Sequence, residues 1–202
     1  MHFIRAFMTL CLLATLAACS SLPSQAPSAT KASLSLHQQH LASLSRIQRF
    51  ELKGRLGVQA DGKGYSASLI WQHNAEQDDI RIYSPLGGQL ARIQKTRDGI
   101  SLEDAQGQVS VGKDAESLTQ TLLGWRLPLS GLADWVLGRP VNASMASLTW
   151  NEAGHTLSLN EADWAIDYQH YQASPATFLP HKLSLKNARV QLKLIVEKWT
   201  LE

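Results

Sequence analysis

Hydrophobic residues recur at every second position along most of the chain after residue 50, in short runs separated by Gly, Asn and Asp. In one run, Tyr65, Ala67, Leu69 and Trp71 occupy alternate positions. This period is typical of strands with one buried and one solvated face. The pattern predicts eleven strands, at residues 50–58, 65–71, 80–83, 90–94, 100–103, 108–111, 147–151, 156–159, 164–171, 181–186 and 190–199.

The succession of one-sided strands indicates an antiparallel meander. A sheet of about eleven strands is expected to curl or close, because large twisted sheets rarely stay open and flat. Ahead of the first strand, residues 35–47 show helical spacing instead. Their apolar stripe predicts a short amphipathic helix and consists of Leu36, His40, Leu41, Leu44 and Ile47.

Residues 113–140 interrupt the meander with a second helical pattern. Two short helices are predicted, the first capped by Asp114 and the second opened by Pro128. Gly138 and Pro140 end the second helix. A helical pair inserted in a meander buries its apolar stripe by lying across the sheet, so we predict a lid. The stripe residues are Leu118, Leu122 and Trp125 in the first helix, and Leu132, Trp135 and Val136 in the second.

The N-terminus reads as an export signal. Residues 1–18 combine one cation (Arg5), an apolar run at 6–16 and small residues, and this run is too short to span a bilayer. The boundary Leu-Ala-Ala-Cys, ending at Cys19, is similar to a bacterial lipobox. In that reading the signal is removed and Cys19 is lipidated. The alternative is a secreted protein whose first residue happens to be cysteine.

Residues 19–34 are predicted to be the lipidated cysteine and a flexible tether, because this Ser-, Ala- and Pro-rich stretch cannot bury enough surface to fold. Residues 35–202 are predicted to form one domain. By analogy with lipoprotein sorting in Gram-negative bacteria, Ser20 rather than Asp after Cys19 implies the outer membrane. Several acyl chains would make that anchor effectively permanent.

Composition excludes several classes of function. A net charge of +2 in 202 residues gives no basic surface for nucleic acid. The two cysteines, Cys11 and Cys19, cannot form a disulfide framework, and neither would remain as a free thiol after processing. No hydrolase, zinc-protease or phosphate-loop motif occurs. His37 and His40 are three residues apart without a third metal ligand, and we interpret them as part of a solvated helix face.

Several motifs resemble the LolB family of outer-membrane lipoprotein receptors. They are LGWRLPL at 123–129, Leu132, WVLGRP at 135–140, SPLGG at 84–88, and the KL and KW pairs at 193–194 and 198–199. The resemblance implies an incomplete antiparallel β-barrel of about eleven strands with a helical lid over an apolar cavity, as in LolA and LolB. It also implies an acceptor that takes acylated lipoproteins from the periplasmic carrier LolA and releases them into outer-membrane lipid. No nucleotide, metal or other cofactor is expected, nor any catalytic residue, and we expect a monomer.

The segment Pro85-Leu86-Gly87 is predicted to be a loop between two strands. From the residues alone, a leucine tucked under its own turn is favoured for Leu86. The resemblance reverses this preference, because the matching leucine of the family protrudes and helps to deliver cargo into the membrane. Arg126 and Arg139, which flank the lid helices, could pair with acidic groups of a carrier, or simply with the helix dipoles.

The cavity lining is predicted as a set. Its candidates lie on apolar faces of the strands and on the lid stripes, and tryptophans are well suited to line a pocket. They are Leu52, Leu56, Leu69, Trp71, Ile82, Leu90, Leu118, Leu122, Trp125, Leu132, Trp135, Trp150 and Trp164.

Two other functions remain as alternatives. A different lipid- or ligand-binding outer-membrane lipoprotein could use a lipocalin-like curved sheet, although a closed lipocalin usually lacks an insertion such as that at 113–140. A periplasmic hydrolase is disfavoured because the chain has no nucleophile–base pattern.

Overall fold

The computed structural model describes residues 31–60, 62–123, 126–127 and 129–202. Its helices are α1 (Lys31–Leu44), α2 (Ala115–Leu123) and α3 (Leu129–Leu137). Its strands are β1 (Phe50–Ala60), β2 (Lys63–His73), β3 (Asp78–Tyr83), β4 (Gln89–Lys95), β5 (Ile100–Asp104), β6 (Val109–Gly112), β7 (Ser147–Trp150), β8 (Thr156–Glu161), β9 (Trp164–Ala173), β10 (Phe178–Lys186) and β11 (Val190–Leu201). Predicted signal residues 1–18 and Cys19 lie outside the described residues.

All strands belong to one antiparallel sheet in the order β6-β5-β4-β3-β2-β1-β11-β10-β9-β8-β7. The sheet is a meander of hairpins in which the last strand pairs with the first, so that β6 and β7 are its two edges. The eleven predicted strands and the open antiparallel architecture with helices are therefore confirmed.

The lid helices follow β6 and precede β7, as predicted. They close the fold over the side of the sheet on which the inward-facing residues form one continuous apolar core. This core extends from Ile93 and Leu102 of β4 and β5 to Leu159 and Ile166 of β8 and β9.

A β-bulge bends the central strand pair. The register of β1 on β11 shifts between Lys53 and Gly54. A Cβ atom at Gly54 would lie 2.4 Å from the Ile195 carbonyl oxygen, so the bulge requires a residue without a side chain. Further along the same strand, Gly57 has ordinary spacing of 3.8 Å to its nearest neighbour, the Lys193 Cβ.

Helix α1 differs from its prediction. It begins at Lys31 and ends at Leu44, so residues 31–34, predicted as tether, are helical, and the predicted end at 47 is too late. Its buried face is Ser33, His37, His40 and Leu44, whereas Leu36 is exposed. These buried residues follow each other at spacings of four, three and four, which is as regular a helical stripe as the predicted one. Because the stripe is partly polar, it is inconspicuous in the sequence.

The histidines of α1 are buried, which corrects the predicted solvated helix face. The His37 ring stacks on Trp150 at 4.4 Å between centroids, and its Nδ1 lies 2.9 Å from the Gly154 carbonyl oxygen. Burial lowers the pKa of His37, and the Gly154 contact opposes this effect. Uncharged imidazole rings thus replace apolar side chains in docking α1 on the β7–β8 end of the sheet.

His40 is held more tightly than His37. Its ring lies 4.8 Å from that of His155 and 5.9 Å from that of Tyr171, and Nδ1 is 3.3 Å from the Thr177 hydroxyl. Its Nε2 is buried without a hydrogen-bond partner. Burial, followed by the proximity of His155 and His37, lowers the pKa of His40 to about 4. Protonation therefore opposes docking of the helix.

Gly54→Ala should destabilise the fold because the new methyl group meets main-chain atoms. We expect a loss of about 1–3 kcal/mol in the free energy of unfolding, measured by urea denaturation. Gly57→Ala is the matched control on the same strand and should change stability by less than about 1 kcal/mol. Equal losses in both variants would contradict the role of the bulge.

Stability should fall as the pH drops from about 6.5 to about 4. In this window the unfolded chain protonates His40, whose ordinary pKa is near 6.5, while the folded chain does not, so lower pH favours unfolding. By this linkage His40 contributes at most about 2 kcal/mol of loss between pH 7 and pH 5. Urea denaturation at several pH values measures the loss, and His40→Leu should reduce it. An unchanged pH dependence in His40→Leu would contradict the assignment.

Candidate functional site

An apolar cavity of about 570 Å³ lies inside the curved sheet beneath the helices. This volume is within the range of sites for small molecules. Strands β1 to β4 and β10 to β11 form its walls, and α2 and α3 cover it. Its lining is Leu56, Val58, Ala60, Lys63, Tyr65, Ser66, Ala67, Leu69, Trp71, Ile80, Ile82, Leu90, Ala91, Ile93, Leu122, Leu127, Leu132, Val136, Leu185, Leu192 and Leu194.

The cavity has a polar mouth and an apolar interior. Its polar lining residues, Lys63, Tyr65 and Ser66, all lie at the start of β2. At the deep end, the Trp71 ring is buried, and its Nε1–H donates to the Asp78 carboxylate at 2.9 Å. Because that N–H is satisfied outside the cavity, Trp71 presents only apolar surface to the interior. The deep part of the cavity is suited to a hydrocarbon ligand.

Seven of the thirteen predicted lining residues lie on this cavity. Prediction from the sequence missed the contributions of β10 and β11, although the alternation of Leu192 and Leu194 signalled an inward face. Trp125 lies outside the described residues. The seven are Leu56, Leu69, Trp71, Ile82, Leu90, Leu122 and Leu132.

The other five candidates do not line the cavity, which corrects their prediction. Leu52 is fully buried opposite Trp71 in the β1–β2 pair, and Leu118 packs towards Gly112 of β6. Trp150 is stacked under α1. Trp135 and Trp164 pack against each other at 6.3 Å, away from the cavity. An apolar face identifies core residues, but it does not distinguish a filled core from an open one.

A buried carboxylate holds Trp135 in this position. Glu161, at the end of β8, accepts hydrogen bonds from the Trp135 Nε1–H at 2.8 Å and from the backbone N–H groups of Val141 and Asn142 at 2.9 and 2.6 Å. Three donors satisfy this buried charge, and they join the lid to the sheet and to the segment before β7.

The two lid helices are attached differently. The end of α3 is bound to the sheet, since the Trp135 carbonyl accepts from the Tyr168 hydroxyl at 2.8 Å and the Gly138 carbonyl accepts from Thr156 at 2.8 Å. Helix α2 is linked to the approach to α3 through a 2.9 Å hydrogen bond from the Leu127 N–H to the Thr119 hydroxyl. Helix α3 is thus hydrogen-bonded to the sheet, whereas α2 packs beside Gly112 of β6 through Leu118 and contributes Leu122 to the cavity lining.

Leu86 occupies the tip of the β3–β4 hairpin. The Gly87 N–H donates to the Ser84 carbonyl at 2.9 Å, and the Ser84 N–H donates to the Gly88 carbonyl at 2.8 Å. Gly87 adopts a left-handed conformation (φ 89°), as three-residue hairpin loops require. Leu86 is 98% exposed, so the alternative of a leucine tucked under its turn is wrong. Its neighbour after the loop, Leu90, lines the cavity mouth.

Several charged groups outside the cavity have structural partners. Asp78 also binds the His73 Nδ1 at 2.7 Å. Hydrogen bonds from Arg92 and then Arg81 hold the pKa of Asp79 below its usual value. Arg139 binds Asp134 at 2.6 Å and the Leu44 carbonyl, so it ties α3 to α1 and is not a free cation for a carrier.

The described residues contain no group of three or more His, Cys, Asp or Glu placed to hold a metal ion. No helix within the described ranges is both long enough and apolar enough to cross a membrane.

Comparisons with known proteins match this architecture. Residues 48–199 match the family model described as "Outer membrane lipoprotein LolB". A LolB of Pseudomonas fluorescens is 28% identical over 197 residues, covering 98% of this chain and 96% of its own. One from Thiobacillus denitrificans is 34% identical over 148 residues, covering 73% and 78%.

Solved structures agree in fold. A LolA superfamily protein from Nitrosomonas europaea has a TM-score of 0.51 at 11% identity, covering 82% of this chain and 93% of its own. A putative outer membrane lipoprotein-sorting protein domain from Vibrio parahaemolyticus has a TM-score of 0.55 at 9% identity, covering 84% and 92%. The family match spans most of the chain and confirms the resemblance seen in its motifs: the chain belongs to the LolB family.

Proposed function

We propose that this protein is an outer-membrane lipoprotein that accepts acylated lipoproteins from a LolA-type periplasmic carrier and incorporates them into the outer membrane. The observation that carries the proposal is an apolar cavity whose lining includes Leu90, four residues after the exposed Leu86. The family name supports the location and the role as a receptor rather than an enzyme. We propose a monomer that needs no cofactor and binds no nucleic acid.

Acyl chains are the ligand that this cavity fits. Each CH₂ group moved from hydrocarbon into water costs about 0.8 kcal/mol, so a diacylated or triacylated protein cannot cross the periplasm unshielded. The residues that line the cavity from Trp71 to Leu122 in the sequence are all apolar and carry no charge. Transfer would therefore pass from one apolar cavity to another, and contact between the two mouths would shield the chains.

Transfer in one direction without nucleotide requires that the affinity for the acyl chains increases at each step. The acceptor must bind the chains more tightly than the carrier does, and the bilayer more tightly than the acceptor. Displacement of the lid would open the cavity to such a ligand, because α2 and α3 both contribute lining residues.

Cys19 is proposed as the attachment point of the protein itself. The signal at 1–18 would be removed and Cys19 acylated, and a chain on the periplasmic face would then be tethered through the residues that precede α1. Mass spectrometry of the membrane-extracted protein tests this assignment, since an acylated N-terminal Cys19 has a characteristic mass. An unmodified Met1 or a free Cys19 thiol would contradict it.

The second candidate, a lipid carrier on a lipocalin-like sheet, is less well supported because the family match includes the lid insertion. Mixing the protein with a carrier–lipoprotein complex separates the two functions. Movement of the lipoprotein to this chain supports the acceptor, and its retention on the carrier contradicts it.

Leu122→Glu should weaken uptake of the lipoprotein, because it places a charge where acyl chains would enter the cavity. We expect a loss of at least about ten-fold in affinity, measured by pull-down from the carrier complex. The neighbouring exposed residue on α2 gives the control, Thr121→Glu, which should bind normally. Equal uptake by the two variants would exclude this route of entry.

Leu86→Glu should accept lipoprotein normally but fail to incorporate it into membranes. The exposed side chain makes no contribution to the core, so the fold should be retained, whereas burial of a carboxylate in lipid is unfavourable. Vesicle flotation after transfer measures incorporation, and Leu86→Met is the apolar control that should remain active. Normal incorporation by Leu86→Glu would contradict a membrane role for the loop.

A further inference from the structure

The loop that carries Leu86 is one of several at the same end of the sheet. Antiparallel pairing places the ends of β1, β3, β5, β8 and β10 there, because Ala60 pairs with Val190, Lys186 with Ala165 and Glu161 with Trp164. The segment before β7 joins them, since Ser147 pairs with Asn160. The polar residues that line the cavity, Lys63, Tyr65 and Ser66, lie at this end. We call this end of the sheet the mouth rim.

A second large apolar residue projects from the mouth rim. Met145 is 77% exposed in the short turn that precedes β7. Its own N–H donates to the Asn142 carbonyl at 3.0 Å, and the Asn142 N–H is held by Glu161 at 2.6 Å. Like Leu86, Met145 is thus presented to solvent by a hydrogen-bonded turn rather than by a loose loop.

The two turns stand far apart on the rim. Leu86 lies between β3 and β4, whereas Met145 precedes β7 at the other extremity of the strand order. Seven inter-strand steps from β3 to β7, at about 4.8 Å each, separate them by roughly 34 Å along the curved sheet. If both turns touched a flat surface, they would fix the orientation of the mouth relative to that surface.

Individual turns of the sheet differ in charge. At the mouth rim, the segments 84–88, 105–108 and 141–146 contain no ionisable side chain. Charged residues lie elsewhere on the rim, at Lys63, Asp163, Lys186 and Arg189. The turns at the far end carry Glu76, Arg97, Asp98 and Glu152. The Leu86 and Met145 segments carry exposed apolar tips and no charge of their own, so they suit the interfacial region of a bilayer better than water or a charged protein surface.

We propose that the Met145 turn is a second membrane-insertion point, so that the mouth rests on lipid at Leu86 and Met145 together. The proposal rests on the proposed function insofar as the outer membrane is taken as the partner. In this orientation acyl chains leave the cavity directly into the bilayer, and Glu161 acquires a second role as the group that positions the Met145 turn.

The insertion can be tested with a fluorescent probe that reports lipid contact. After processing, Met145→Cys, Leu86→Cys and Glu152→Cys would each carry one thiol, which is labelled with NBD. The lipidated full-length variants are reconstituted into vesicles of phosphatidylethanolamine and phosphatidylglycerol, with and without doxyl-labelled lipid. We expect blue-shifted, doxyl-quenched emission at positions 86 and 145, and neither effect at 152 on the far end. Emission at 145 that matches that at 152 would overturn the proposal.

Transfer kinetics provide a second readout. Met145→Glu should take lipoprotein from the carrier normally and slow its incorporation into the same vesicles about ten-fold. Val111→Glu is the control, since Val111 is equally exposed at 77% but lies further from the rim on β6. Loss of uptake by Met145→Glu would overturn the proposal by making Met145 a contact for the carrier. Failure of the unmodified protein to take up lipoprotein would contradict the proposed function and leave the probe result standing.

Discussion

The inner face of the curved sheet carries a continuous apolar core, and within the described residues no second sheet covers it. The helices shield that face from water. On the β7–β10 half, α1 and α3 lie against the sheet and are fixed by polar contacts, with His37 and His40 on one helix and Trp135 on the other. On the β1–β4 half, side chains do not fill the space, and a cavity remains.

This division explains where the polar groups are. Buried polar side chains are stable only when they are hydrogen-bonded, and they then fix the geometry of the elements that they join. Glu161, Thr156 and Tyr168 all serve the filled half. At the cavity, Asp78 draws the Trp71 N–H away from the interior. The hydrogen bonds that fix the elements of one half are thus absent from the deep lining of the cavity in the other half.

Periodicity was sufficient for the sheet. Alternation predicted every strand because each has one wet face, and a strand such as β5, with Ile100 and Leu102 buried, shows that pattern without knowledge of its neighbours. Helix α1 was less predictable, because its buried stripe contains Ser33, His37 and His40, whose burial depends on partners more than 100 residues away. Local pattern cannot encode such partners.

For the cavity, the sequence could predict which strand faces are apolar, but not which of these faces line an open space. Trp71 and Trp164 both lie on apolar strand faces, but one lines the open half and the other packs against Trp135 in the filled half. The difference depends on the position of the lid, which is fixed by the long-range hydrogen bond to Glu161. Leu86 is the opposite case, since the residues alone favoured burial and only the family resemblance indicated exposure. Exposed apolar residues that function in binding violate the rule by which core residues are recognised.

An uncharged interior also limits what the protein can recognise. The residues that line the cavity from Trp71 to Leu132 in the sequence are all apolar. They present no group that could distinguish one lipoprotein from another by its peptide or by its head group. If the cavity binds acyl chains as proposed, selection of the ligand would rest on those chains alone, and selection of direction on the surfaces around the mouth. The interior would then remain the same for every lipoprotein, while the rim would decide whether the open cavity faces a carrier or a bilayer. Under the proposed function, the exposed residues of the rim, rather than those of the cavity, would therefore carry the specificity of transfer.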